Sequence, residues 1–156
     1  SNWKFIIIGS SQIGETKLRD NFSKHIIEKF KKIGSQTLAT GHVSTDEVQK
    51  MMKKSSIIVI PSVWQEPFGL VAAEAMNNGL ALVSSNVGGL PEIIGKNGIL
   101  IDNINHIKIA QTLENLLSNR KKIKKMQIAS LKNFNFSANV SSKKLDNYRK
   151  DLMANF

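Results

Sequence analysis

The chain has 156 residues and no cysteine, which suits one compact domain with a sizeable core and excludes a disulfide framework and thiolate chemistry. It contains no apolar run of transmembrane length and no signal-peptide pattern. Its net charge of +10, from 22 basic and 12 acidic residues, attracts polyanions, but such a surplus names no site and equally describes a solvated lysine-rich surface.

Trp3–Ile8 (WKFIII) predicts a strand and Gly9-Ser10-Ser11 a turn after it. Leu18, Phe22, Ile26, Phe30 and Ile33 recur at helical spacing, and Gly34 closes that helix. Gln36–Thr40 is a short second strand and Gly41-His42-Val43 a loop. Ser44-Thr45-Asp46-Glu47 forms a capping box for a helix through Val48, Met51 and Met52, the two methionines reading as core fillers. Ile57–Ile60 is a buried strand, Leu80–Ser85 another and Gly98–Asp102 a last short one. Between the latter two lie the turn Asn86–Pro91 and a short helix with Pro91 in first position and Glu92 inside. The remainder is helical: 104–117, 120 to about 131, and 137 to about 153, with Ser137 as an N-cap.

Strands alternating with helices imply βαβ units, hence an α/β fold with a parallel sheet and helices on both faces. Ligands bind beyond the carboxyl ends of such strands. The turns at Gly9, Gly41, 61–69 and Gly88-Gly89 all follow strands, so they are expected to converge on one edge. Neither an internal repeat nor a linker occurs, and residues 1–156 read as a single domain.

The chemistry concentrates in PSVWQEPFGLVAAEAMNNG, residues 61–79. It reads as strand, sharp turn and helix, with Glu66 in the turn, Glu74 in the helix and seven residues between them. Gly79 suits a left-handed helix stop. The first amides of a helix lack internal partners and carry partial positive charge. A helix opening near Gly69 therefore aims the amides of Gly69, Leu70 and Val71 at an anion such as phosphate. Glu74 lies about 7 Å further along, at ~1.5 Å per residue. A carboxylate near a phosphate site makes sense if it accepts from neutral hydroxyls, such as a ribose diol one diphosphate length away. Glu66 could do the same for a sugar on the other side of the phosphates.

The run EPFGLVAAEAMNNGLALVSSNVGGLPEIIGKNGILID resembles the C-terminal half of retaining GT-B glycosyltransferases, with a Rossmann-like fold. The family's two-acid signature falls on Glu66 and Glu74, and its glycine pair on Gly88-Gly89 with Glu92 following. NFSKHIIEKFKKIGS and PSVWQEPFGLVAAEAM look most like lipopolysaccharide-core N-acetylglucosaminyltransferases of Gram-negative bacteria. The resemblance implies a nucleotide-sugar donor, with a UDP-sugar expected, and Glu74 holding the ribose. It places the amides of Phe68, Gly69, Leu70 and Val71 on the distal phosphate and sugar. It puts Glu66 at the donor-sugar hydroxyls near the reacting centre as the catalytic residue. Gly9 opens the cleft and His42 contacts the base. Anomeric configuration is retained by front-face departure and attack, the leaving phosphate taking the acceptor proton.

The family's phosphate-neutralising Arg and Lys belong to a unit preceding Trp3, and its N-terminal acceptor domain also lies outside this chain. The chain is thus expected to be an excised donor-binding half without transferase activity. The expected acceptor is a lipopolysaccharide core or another surface glycan. The expected location is cytoplasmic and peripheral on the inner face of the inner membrane. No Asp-x-Asp pair occurs, so neither metal nor other cofactor is expected.

Two other classes remain open. One is a glycogen-synthase-like domain using ADP-glucose. The other is a basic α/β module docking on nucleic acid, which wants aromatics or Arg interleaved on one surface; with 6% aromatics and basic residues that are mostly Lys, no specific nucleic acid is expected. The Arg120–Lys125 cluster (RKKIKK) is either a solvated face or a contact for an anionic membrane surface. His25 and His106 fall in helices without an assigned role, and Trp64 reads as either a wall of the cleft or packing, with packing favoured.

Overall fold

A computed structural model describes residues 3–9 and 21–154. The chain divides into two compact units, Ser1–Met51 and Met52–Phe156.

The first unit holds β1 (Phe5–Ile7), α1 (Asn21–Ile33) and β2 (Thr37–Ala39), and the start of α2 (Thr45–Lys54). β1 and β2 pair in parallel with Ile6 opposite Leu38. Phe5 stacks on Phe30 of α1 with ring centroids 5.8 Å apart. Leu18, the first residue of the expected apolar stripe, lies outside the described residues. The capping box of α2 forms as expected: the Glu47 amide donates to the Ser44 hydroxyl at 3.3 Å and the Ser44 amide to the Glu47 carboxylate at 3.2 Å. Met51 departs from its expected core role and is only half-buried, whereas Met52 is buried.

The second unit holds β3 (Ile57–Ile60), α3 (Leu70–Asn77), β4 (Ala81–Ser85), α4 (Leu90–Ile94), β5 (Gly98–Ile101), α5 (His106–Leu117), α6 (Arg120–Asn133) and α7 (Ala138–Ala154). The strands form one parallel sheet in the order β3-β4-β5. The central β4 is buried along its whole length, which is why ALVSS reads as a continuous rather than an alternating strand. Met76, Leu80, Leu82, Leu90, Ile94 and Leu116 are the largest buried apolar side chains around it. α6 is fastened to this core by the Ser130 hydroxyl, which donates to the Leu80 carbonyl at 2.8 Å. The fold is thus the expected α/β arrangement of parallel strands flanked by helices.

Element ends differ from expectation by a residue or so. Asn105 caps α5 by accepting from the Lys108 amide, so that helix starts at His106 rather than 104. Pro91 is the second residue of α4, not the first, because Leu90 already enters the helix. Among the described residues no helix is long and apolar enough to cross a membrane.

Candidate functional site

The turn after β3 and the helix it feeds carry six of the expected site residues: Glu66, Phe68, Gly69, Leu70, Val71 and Glu74. Gly69 is the N-cap of α3, at φ +90° and ψ +49°. That left-handed conformation is inexpensive only for glycine. It turns the Gly69 carbonyl back to accept the Ala72 and Ala73 amides at 2.9 and 3.2 Å. The N–H groups of Phe68, Gly69, Leu70 and Val71 have no acceptor among the described residues. A cluster of unused donors at a helix start is an anion site in waiting.

At its other end α3 stops as expected. The Gly79 amide donates to Met76 at 3.0 Å and the Leu80 amide to Ala75 at 3.1 Å, with Gly79 left-handed at φ +68°. The helix is thereby held to eight residues. Ala72, Ala73, Ala75 and Met76 face the core, while Glu74 is half-buried between them. Its carboxylate has no hydrogen-bond or ionic partner among the described residues, and the same holds for Glu66, also half-buried. Both acids are therefore available to accept hydroxyl hydrogens from a ligand.

The loop after β4 braces the turn. The Gly89 amide donates to the Glu66 carbonyl at 2.6 Å and the Gly88 amide to the Gln65 side-chain oxygen at 3.0 Å. A Cβ on Gly88 would collide with the main chain of Glu66, and one on Gly89 would lie 2.8 Å from the Pro67 carbonyl oxygen. Buried Leu90, the first residue of α4, lies against Gly69. The glycine pair is therefore a close backbone contact, beyond its role as a turn. Sequence reasoning missed this bracing and Gln65 with it. The available signal was two adjacent glycines directly after the strand that neighbours β3.

Further support comes from beyond α6. Phe136 meets Phe68 edge-on with ring centroids 6.0 Å apart, and Phe134 meets Phe136 at 6.3 Å. Trp64 is 58% exposed, so the packing role expected of it does not hold. Val63, Leu70 and Val71 also point apolar side chains to solvent around the turn.

Gly9 and His42 lie in the first unit. Gly9 bridges Gly41, its amide donating to the Gly41 carbonyl at 3.0 Å, and exposed His42 follows directly. So the loops after β1 and β2 meet, as do those after β3 and β4. His25 and His106 are exposed on their helices. Among the described residues no group of three or more acidic or histidine side chains is placed to hold a metal.

Residues 1–133 match the family of glycosyl transferases group 1. Spore coat protein SA of Bacillus subtilis is 33% identical over 120 residues, covering 75% of this chain and 32% of that protein. The lipopolysaccharide 1,2-N-acetylglucosaminetransferase of Salmonella typhimurium LT2 is 28% identical over 94 residues, 60% of this chain and 25% of that protein. The crystal structure of Anabaena HepE in complex with UDP superposes with a TM-score of 0.72 at 19% identity, covering 95% of this chain and 41% of that one. The chain thus spans a third or less of the length of these curated relatives. Its fold is that of the GT-B glycosyltransferases, and the chain belongs to the group 1 glycosyl transferases.

Proposed function

We propose that this chain is the donor-binding part of a retaining glycosyltransferase. The observation that carries the proposal is the pairing of unused amides at residues 68–71 with two available carboxylates on the same turn and helix. The amides take the distal phosphate and adjacent sugar. Glu74 accepts the ribose hydroxyls. Glu66 accepts donor-sugar hydroxyls beside the reacting carbon. The fixed dipoles then stabilise the departing diphosphate, and catalysis is mainly positioning and charge stabilisation. The leaving phosphate takes the acceptor proton, and configuration is retained. Gly9 and His42 of the first unit serve the nucleotide, as the family resemblance implies.

The UDP bound by HepE supports a UDP-sugar donor over ADP-glucose. The Salmonella relative supports N-acetylglucosamine as the sugar and a lipopolysaccharide core as the acceptor. A cytoplasmic place, peripheral on the inner face of the inner membrane, follows from such an acceptor. Lys121, Lys125 and Lys132 of α6 are exposed on one helix face with Ile128 between them, a pattern suited to anionic headgroups. Transfer requires the acceptor domain, so residues 1–156 alone bind donor without turning over.

Titration with UDP, ADP, UDP-sugars and an oligonucleotide tests the assignment. Saturable binding that prefers uridine nucleotides supports it. A steeply salt-dependent preference for the oligonucleotide overturns it in favour of a nucleic-acid module, and turnover by residues 1–156 alone contradicts the donor-half assignment.

A further inference from the structure

We propose that Gln65 is a positioning residue, holding the loop after β4 onto the turn so that Glu66 and the amides at the start of α3 stay aimed at the donor. The inference rests on the donor-binding function proposed above. Two successive amides of the loop, Gly88 and Gly89, donate to two successive residues of the turn. The second bond uses the main-chain oxygen of Glu66, which any residue at position 66 supplies. The first uses the Gln65 side-chain oxygen, 23 residues away in sequence. Only a side chain that places an acceptor oxygen at that reach can supply it.

The contact beside it is tight. The Gly88 backbone, at φ +54°, lies so close to the Glu66 main chain that a Cβ has no room. With Gln65 latched the loop has one register on the turn. Without the latch the Gly88 amide must turn to water, and the peptide it belongs to lies directly against Glu66. An exposed glutamine gains little stability from one neutral hydrogen bond, so what it supplies is the aim of the turn. Phosphate recognition is what such a shift disturbs, because the amides of residues 68–71 lie just downstream. Recognition of the nucleoside is much less affected.

The test compares Gln65→Leu, which removes the acceptor, with Gln65→Glu, which keeps an oxygen at the same reach. Amide exchange at Gly88 is measured by NMR, and affinities for UDP and for uridine are measured in parallel with thermal unfolding. Gln65→Leu is expected to speed Gly88 exchange at least tenfold and to weaken UDP five- to tenfold. Uridine affinity should move less than twofold and the melting temperature little, and Gln65→Glu should restore both quantities. The proposal is overturned if Gln65→Leu leaves Gly88 exchange unchanged. It is also overturned if UDP and uridine weaken alike, or if Gln65→Glu behaves as Gln65→Leu does. If the wild-type chain binds neither UDP nor uridine, the donor-binding function fails and the positioning role falls with it. If wild type binds UDP and the variants keep its UDP-to-uridine ratio, the positioning role alone fails.

Discussion

Glu74 is the residue whose environment says most. It interrupts a run of core alanines, with Ala73 and Ala75 both buried, yet it remains half-exposed and unpaired among the described residues. A half-exposed acid with no partner among the described residues is free to accept hydrogen bonds from a ligand's hydroxyls. Replacing it with alanine is expected to weaken UDP binding by about 1.5–3 kcal/mol, the scale of a charged hydrogen bond. The fold should be unaffected, as calorimetry of both proteins can show; unchanged affinity would remove Glu74 from the site. Glu74 stood out in the sequence because AAEAM sets a carboxylate in an apolar helix. Gln65 was not legible, because its partner becomes a neighbour only once β3 and β4 pair. Trp64 misled for a related reason. Its size suggests packing, but it stands on a turn whose support comes from glycines and from Phe136, leaving the indole in solvent.

At the level of elements, α3 and its two loops behave as one unit. Gly69 opens the helix, Gly79 closes it, and the Gly88-Gly89 loop fixes the turn that feeds it. Gly88→Ala is therefore expected to displace Glu66, since the new methyl group meets backbone rather than a flexible side-chain end. UDP affinity should fall at least tenfold, about 1.4 kcal/mol, with the sheet retained by circular dichroism. Wild-type affinity in that variant would show that the loop can yield without moving the site. Helices, strands and their order were readable from periodicity, and the capping box at Ser44 and Glu47 from its own four-residue motif. Boundaries slipped where a side chain decided them, as when Asn105 caps α5, because a cap is a single hydrogen bond and leaves no periodic trace.

For the whole molecule, the charge of +10 finds a local expression on α6. Ile123 and Ser130 are buried there, which fixes the opposite face, with Lys121, Lys125, Ile128 and Lys132, outward. Charge reversal of Lys121, Lys125 and Lys132 is expected to abolish co-sedimentation with phosphatidylglycerol vesicles at low salt while leaving UDP binding unchanged. Vesicle binding that survives the reversal would place any membrane contact elsewhere. The sequence made the parallel α/β plan legible, because continuous apolar strands alternate with helices. It did not reveal the division at Met51 and Met52, which no glycine, proline or composition shift marks.

The central claim is that free amides at the start of α3 hold the diphosphate of a nucleotide sugar. It is tested most directly by following backbone amide resonances while UDP is added to the isotopically labelled chain. The largest shifts are expected at Phe68, Gly69, Leu70 and Val71, saturating together with those around Glu74. Saturable UDP binding that leaves these four amides unmoved would contradict it.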